Sequence, residues 1–152
     1  MSDVGQFVEP TSAPGATVVG ILQSAITIGE ALEATAQATG NKPVDQSDAA
    51  AIRAAEVRAT GSAVIIPGGL AASAQSAANY NAAMLRDEDK VKLSAVLTGA
   101  TAKLSSDKVV TRADAEGVSS AERRNNPNFT AHPGGVAASL TAAARLNENV
   151  NG

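Results

Sequence analysis

The sequence predicts a mainly α-helical protein built from two tandem homologous three-helix units, about six helices in all, behind a flexible N-terminal segment. The first reason is a repeated phrase: PGGLAASAQSAANYN, which begins at Pro67, returns as PGGVAASLTAAARLN at Pro133. Aligned without a gap, residues 48–81 and 114–147 match at 14 of 34 positions, and the matches include acids, glycines and asparagines. Self-similarity of this kind indicates one supersecondary unit used more than once.

The second reason is an alanine-rich composition in a chain of 152 residues, which is room for one ordinary domain or two small ones. Alanine supplies 33 residues, whereas leucine, isoleucine, valine and phenylalanine together supply 31, or about 20% of the chain. Alanine has the highest helix propensity but buries little apolar area. We therefore expect helices with thin tertiary packing and marginal stability.

The charge and residue types exclude several classes of protein. The net charge of −3 is spread along a chain that has two phenylalanines, one tyrosine and no tryptophan, so no dedicated nucleic-acid surface is expected. The chain has no cysteine, hence no disulfide, thiolate zinc site or cysteine nucleophile, which suits a reducing compartment. It shows neither a signal peptide nor a run of about 20 apolar residues. We expect a soluble protein without a transmembrane segment, retained in the cell.

Four segments follow from the repeat and from the distribution of proline and glycine. The first 20 residues carry two prolines and three glycines and are predicted to be flexible. The segments are a flexible N-terminal segment (1–20), a first repeat (21–85), a second repeat (86–149) and a C-terminal tail (150–152).

The first helix of each copy is predicted from an apolar stripe. In copy one the stripe comprises Ile21, Ala25, Ile28 and Leu32. In copy two it comprises Leu93, Val96, Leu97, Ala100 and Leu104, and Ile28 aligns with Leu93 after one inserted residue. We expect a left-handed stop for the first stripe near Gly40-Asn41. The acids of DEDK, residues 87–90, are expected on the first turn of the second, where the helix dipole favours them.

The second helix of each copy has a capping signal at its start. TRAD, residues 111–114, fits a capping box, and DQSD, residues 45–48, fits more loosely. Val44 and Val110 precede these caps, where a hydrophobic staple would lie. The face of this helix in copy one is expected to contain Ile52, Ala55 and Ala59, and NNPN is expected to end the helix of copy two before Pro127.

The third helix of each copy follows the PGG phrase, because proline excludes helix before it and glycine permits a sharp turn and close backbone approach. The expected buried faces are Leu70, Ala74, Ala77, Ala78 and Asn81 in copy one, and Val136, Leu140, Ala143, Ala144 and Asn147 in copy two. Before the phrase, SAVII (62–66) and NFTAH (128–132) suit extended backbone. Their pairing as a short two-stranded ribbon between the copies is an option that the sequence leaves open.

Glu56 and Glu122 are the polar residues of greatest interest, because each lies four positions after an apolar residue and so on the face expected to be buried. A buried carboxylate needs a partner. We predict that each accepts hydrogen bonds from backbone amides near Gly68-Gly69 or Gly134-Gly135, at a helix start. The alternative, a catalytic carboxylate pair, needs a cleft that the sequence does not indicate.

No other residue pattern indicates catalysis or ligation. His132 is the only histidine, and the aligned residue in copy one is Ile66, so a structural or surface histidine is expected. The sequence has no nucleophile elbow, its PGG phrase lacks the features of a phosphate loop, and the acids at 87–89 do not fit a calcium loop. The sequence therefore predicts no catalytic, cofactor-binding or metal-binding residues and no cofactor.

Several long phrases together carry a family resemblance, in this order: SAITIGEALEAT, GNKPVDQSDAAAIRAAEVRATG, PGGLAASAQSAANYN, TRADAEGVSSAERRNNPN and HPGGVAASLTAAARLNE. The chain resembles the seed maturation protein (SMP) domain of plant late embryogenesis abundant proteins, over about residues 20–148 and in both copies. VGQFVEP resembles the segment that precedes these domains in longer members, which carry a further upstream copy. The resemblance thus implies that this chain is a fragment or a short form.

The resemblance implies accumulation in maturing seeds, a part in desiccation tolerance, and residence in cytoplasm and nucleus. It brings no catalytic residues. We therefore expect a non-enzymatic stress protectant that shields client proteins, bound weakly and non-specifically, from aggregation and inactivation during water loss. The alternative is a folded helical binding module that recognises a specific protein partner. The sequence leaves the oligomeric state open.

Overall fold

A computed structural model describes residues 25–126 and 134–151. Over these ranges the chain is mainly helical and has no strands. The α-helices are α1 (Ile28–Thr39), α2 (Gln46–Thr60), α3 (Leu70–Ala82), α4 (Leu93–Leu97), α5 (Ala100–Lys103), α6 (Arg112–Arg124) and α7 (Val136–Asn151), with one 3-10 turn at Asp87–Asp89. The segment predicted to be flexible, 1–20, lies outside the described residues.

Three helices begin at complete capping boxes. The side chains of Thr27, Asp45 and Thr111 each accept the backbone N–H three residues on, and an acid at that position accepts the N–H of the cap. Both predicted starts of the second helices are confirmed, and DQSD caps as fully as TRAD. The box at Thr27 was not predicted, and it places the start of α1 at Ile28. Ala25 of the predicted stripe therefore precedes the helix, and Ile21 lies outside the described residues.

The first helix of copy two differs from its prediction. It is broken into α4 and α5 because Gly99, between them, has the left-handed φ of 75°. The apolar stripe could not reveal the break, since Leu93, Leu97 and Ala100 are all fully buried on either side of it. The sequence predicts six helices, and this break accounts for the seventh.

Two predicted helix boundaries are also wrong. The DEDK acids are not on the first turn of α4, which begins at Leu93; they form the separate 3-10 turn, where Asp87 pairs with Lys90 at 3.1 Å. Gly40 does not form a left-handed stop, because its φ of −60° is right-handed. A Cβ at Gly40 would lie 2.1 Å from the carbonyl oxygen of Ala36, in the last turn of α1, and 3.0 Å from the Cβ of Ser94, so glycine leaves room for both.

The ribbon between 62–66 and 128–132 is not supported, because residues 62–66 form no strand and 128–132 lie outside the described residues. Extended pairing occurs elsewhere, as two isolated antiparallel bridges, Thr27 with Val109 and Pro43 with Lys92. Each bridge joins a residue of one copy to a residue of the other.

The core lies where α2 packs between α3 and α6, α6 packs on α7, and α1 packs on α4, α5 and α7. Both predicted faces of the third helices are buried in full. Of the 28 buried hydrophobic residues in the described part of the chain, 15 are alanine. The packing is therefore close and the large apolar side chains are few, as the composition indicates.

The two copies exchange their first segments. The N–H of Val110 donates to the carbonyl of Ile26 at 3.0 Å, and the N–H of Val44 donates to the carbonyl of Val91 at 3.0 Å. Val110 aligns with Val44, and Ile26 aligns with Val91, so the two bonds are the same contact made in opposite directions. Reciprocity of this kind is what a two-fold-related pair of subunits shows. Each copy thus supplies the strand-like segment before its first helix to complete the other copy.

Candidate functional site

Asn81 lies near the end of α3 and is 5% exposed. Its Nδ2 donates to the carbonyls of Val44 and Val91, each at 2.9 Å, and its Oδ1 accepts the N–H of Val91 at 2.7 Å. One side chain therefore satisfies three backbone groups on two segments that belong to different copies. We call this arrangement an amide clamp.

Asn147 forms the second amide clamp, near the end of α7. Its Nδ2 donates to the carbonyls of Ile26 and Val110, each at 2.9 Å, and its Oδ1 accepts the N–H of Ile26 at 2.7 Å. Asn147 and Ile26 are 121 positions apart in the chain. Because buried backbone groups need partners, the two clamps hold each exchanged first segment in the other copy.

Glu56 and Glu122 occupy the positions predicted for them. Both are buried, and their Oε1 atoms accept the N–H of Ala71 at 3.0 Å and of Ala137 at 3.2 Å, in the first turns of α3 and α7. The prediction of a backbone amide at a helix start is confirmed, with the donor two residues beyond the second glycine of PGG. A carboxylate here also interacts favourably with the positive end of the helix dipole.

The two glycines of the PGG phrase are required for different structural reasons. Gly68 has the left-handed φ of 77°, which glycine adopts without strain. Gly69 has an ordinary φ, but a Cβ on it would lie 2.8 Å from Oε2 of Glu56. The repeated phrase therefore makes a turn and leaves space for the buried carboxylate that caps the following helix.

The acids of the second-helix capping boxes, Asp48 and Asp114, are buried and differ in their surroundings. Asp114 accepts hydrogen bonds from Lys108 and, at 2.9 Å, from Nε of Arg58. Burial alone would raise the pKa of Asp114, but these bonds outweigh it and lower the pKa to about 2. Asp48 is bonded by Lys42 at 2.5 Å, and its Oδ1 has no hydrogen-bond partner. Burial therefore raises the pKa of Asp48 above its ordinary value.

An open groove of about 720 Å³ lies along α3 on the side that faces α4. Its floor consists of small residues: Gly68, Ala72, Ser73, Ser76 and Ala77. Tyr80, Asp89, Lys90 and Lys103 also line it. The groove was not predicted, because it depends on the break at Gly99, which directs α5 onto α1.

The remaining sequence features can be placed as follows. His132 lies outside the described residues. Within 25–126 and 134–151, no group of three or more histidine, cysteine, aspartate or glutamate side chains could hold a metal ion, and no helix is long and apolar enough to cross a membrane. The buried polar side chains described above bind backbone groups or partly exposed basic side chains, which organises the fold.

Sequence reasoning recognised Asn81 and Asn147 as repeated, buried positions but did not predict what they bind. A signal was available, because an amide on the buried face of a helix needs several hydrogen-bond partners. The alanines around these asparagines offer none, so the partners had to come from the backbone of another segment.

Comparison with known proteins identifies the family. The family model described as seed maturation protein matches residues 26–84 and 91–150. The chain is 72% identical over 148 residues to late embryogenesis abundant protein D-34 of Gossypium hirsutum, covering 97% of this chain and 56% of that protein. It is 71% identical over 154 residues to late embryogenesis abundant protein 31 of Arabidopsis thaliana, covering 97% and 59%.

A more distant relative, late embryogenesis abundant protein 50 of Arabidopsis thaliana, is 37% identical over 144 residues, which cover 95% of this chain and 91% of that protein. The chain spans a little over half the length of the two more similar relatives. No solved structure matches it. Two matches to the family model and this set of relatives lead to one conclusion: the chain belongs to the seed maturation protein family of late embryogenesis abundant proteins.

Proposed function

We propose that this protein is a non-enzymatic protectant of maturing seeds, resident in cytoplasm and nucleus, that shields other macromolecules from aggregation and inactivation during water loss. The names of its relatives support the setting. The observation that supports the physical role most directly is the buried hydrogen-bonded framework within an alanine core, comprising three capping boxes, two amide clamps and two buried glutamates.

Such a framework suits a protein that must stay folded as water is withdrawn. The hydrophobic effect exists only because water is present, so a fold that depends on a large apolar core loses its main stabilising force on drying. A hydrogen bond contributes only about 1 kcal/mol in water, because water competes for both groups, but about 4–6 kcal/mol where water is absent. A fold held by satisfied backbone groups should therefore become more rigid on drying.

The surface fits weak contact with many clients. The large apolar residues exposed in the described part of the chain are Val64, Ile65, Tyr80, Leu85, Val109 and Leu146. Val64 and Ile65 are neighbours, and the other four lie at separate positions along the sequence among exposed alanines, serines and charged residues. Single exposed apolar residues can cover small apolar patches on a partly unfolded client without sequence preference.

A drying assay tests the protectant function. A labile enzyme is dried and rehydrated with this protein, with an equal mass of albumin, or with the double variant Asn81→Ala/Asn147→Ala. The wild-type protein should preserve more enzyme activity than albumin, and infrared spectra of the dried film should show retained helix. The clamp variant should protect less. Equal recovery with this protein and with albumin would exclude a protective function beyond that of inert bulk protein.

A second candidate function is a folded helical module that recognises one protein partner. The observation that favours it is the open groove of about 720 Å³ along α3, which is a concave surface with a floor of small residues. A pull-down from seed extract that yields one partner in fixed stoichiometry would support this function over non-specific protection.

A further inference from the structure

A second groove, of about 420 Å³, lies along the contact between α2 and α6. Arg53 and Arg58 of α2 and Arg124 of α6 line it, and we call it the arginine groove. Gly117, in the middle of α6, also lines it, and a Cβ on Gly117 would lie 3.6 Å from Nη1 of Arg58. The guanidinium of Arg58 therefore reaches across the groove from α2 to α6. The volume is typical of sites for small molecules.

No carboxylate balances these arginines inside the groove. Among the described residues that line it, none is aspartate or glutamate, and residues 127–133, which follow α6, contain neither. Arg53 and Arg124 are exposed and make no hydrogen bond or ion pair with a described residue. Arg58 donates through Nε to Asp114, a carboxylate that Lys108 also neutralises. The groove therefore carries an excess of positive charge.

The relation between the two copies shows that Arg124 is not committed to another contact. Arg124 aligns with Arg58, and Asp48 aligns with Asp114. The counterpart of the bond made by Arg58 would join Arg124 to Asp48. Asp48 is bonded by Lys42 instead, and its Oδ1 has no hydrogen-bond partner. The guanidinium of Arg124 lines the groove and is available to a ligand.

The corresponding groove of copy two has balanced charges. It lies between α6 and α7, and its lining includes three arginines and two glutamates. Glu116 occupies the position of Ala50, and Ser119 occupies the position of Arg53. Arg112 pairs with Glu148 at 3.0 Å. The excess of positive charge is therefore a property of copy one and does not follow from the repeat.

Three guanidinium groups in one groove favour a ligand with several anionic groups. Guanidinium donors match phosphate oxygens through paired, charge-assisted hydrogen bonds. Arg53 and Arg58 are five residues apart, which separates their Cα atoms by about 7.5 Å along the axis of α2. Linked phosphates span such a distance better than one phosphate does.

We propose that the arginine groove binds a small free anion that carries two or more phosphate groups. Arg53 and Arg124 donate to it with their whole guanidinium groups. Arg58 donates with its Nη atoms, while its Nε remains bonded to Asp114. The inference does not depend on either candidate function.

The probe is inorganic triphosphate, titrated into the full chain and followed by isothermal titration calorimetry. The wild-type chain should bind triphosphate, more weakly as the ionic strength rises, and should bind orthophosphate at least about tenfold more weakly. Arg53→Gln and Arg124→Gln should each weaken triphosphate binding about tenfold. Arg112→Gln, the matched control, removes the same charge from the copy-two groove and should change binding less than about twofold.

A second variant installs in copy one the acid of copy two. Ala50→Glu introduces a carboxylate at the position that aligns with Glu116, and it should abolish triphosphate binding. The helix should be retained in circular dichroism spectra, because glutamate is a good helix former. In NMR spectra of the wild-type chain, triphosphate should shift the Nε–H resonances of Arg53 and Arg124 but not that of Arg112.

Three results would overturn the inference: no binding of triphosphate by calorimetry and by NMR, equal weakening by Arg53→Gln and Arg112→Gln, or equally tight binding of citrate. The last would show that the groove responds to charge without preference for phosphate. A vesicle assay tests whether the phosphates belong to a free molecule. Sedimentation with phosphoinositide vesicles, abolished by Arg53→Gln/Arg124→Gln, would contradict a free ligand and place the phosphates on a lipid headgroup.

Discussion

Removal of an amide clamp should destabilise the whole protein, although only one small polar side chain is changed. Asn147→Ala deletes three hydrogen bonds and leaves the N–H of Ile26 and the carbonyl of Val110 without this partner, whereas the carbonyl of Ile26 still accepts the N–H of Val110. Each buried polar group left unpaired costs about 1–3 kcal/mol. Taking the low end for each of these two groups, because the segments lie near the surface, and about 1 kcal/mol for the lost third bond gives about 3 kcal/mol.

For a chain of this length, about 3 kcal/mol corresponds to a fall in Tm of about 6–12 °C. The measurement is urea and thermal unfolding followed by far-ultraviolet circular dichroism. Asn79→Ala is the matched control, because Asn79 lies two positions before Asn81 on α3 and its hydrogen bonds are to exposed glutamines. Asn147→Asp keeps the shape and the acceptor but removes both donors, so it should be at least as damaging as the alanine variant.

Native-state hydrogen exchange distinguishes the clamp from a general loss of stability. Asn147→Ala should accelerate exchange at the amides of Ile26 and Ile28, in the segment that the clamp holds, more than at amides in the middle of α2. Asn81→Ala should have the reciprocal effect at Val91. If either alanine variant costs no more than Asn79→Ala, or if exchange rises uniformly, the reasoning is refuted.

The other predictions concern the glycine phrase and the capping acids. Glu56→Gln should lower the free energy of unfolding by about 1 kcal/mol through weaker capping of α3, and an unchanged Tm would contradict this. Gly69→Ala should be destabilising, because the added Cβ conflicts with the carboxylate of Glu56. The same substitution should cost less stability in a Glu56→Ala background. Additive effects in the double-mutant cycle would contradict the contact. Gly68→Ala should cost about 1 kcal/mol, since its φ is left-handed, as measured by urea unfolding. The pKa of Asp114 is lowered to about 2 from 3.8. The ionised carboxylate of Asp114 therefore stabilises the fold above pH 3.8, and this stabilisation is lost as the pH falls towards 2. Relative to Asp114→Asn, the wild-type chain should lose about 2 kcal/mol of unfolding free energy over that range. Asp48→Asn should lower the free energy of unfolding at pH 7 by less than Asp114→Asn does, because burial raises the pKa of Asp48 and disfavours its charged form.

The parts of the fold that the sequence predicted are those set by local pattern. Residue types that act within one turn, such as Asp45 with Asp48 or Thr111 with Asp114, fixed the starts of α2 and α6. The spacing of small and apolar residues identified the buried faces of α3 and α7. The buried positions of Glu56 and Glu122, next to a glycine-rich helix start, were enough to identify their backbone partners.

The parts that could not be predicted depend on contacts between distant residues. Gly99 lies in an uninterrupted apolar stripe. The helix breaks at Gly99, and the second half, α5, packs against α1. Gly40 was predicted to be a left-handed stop because a glycine at a helix end usually is one. A Cβ at Gly40 would conflict with the carbonyl of Ala36 and with Ser94 of the other copy, and the contact with Ser94 has no local signature.

The exchange of first segments makes the pair, and not the single copy, the smallest piece that can fold. A lone copy would end with a helix whose asparagine keeps only one of its three backbone bonds, and it would begin with a segment that has no site to occupy. Two such molecules could satisfy each other, so one copy by itself is expected to exist as a homodimer or to remain unfolded. A single further copy in a longer chain is therefore expected to pair with the corresponding copy of a second molecule.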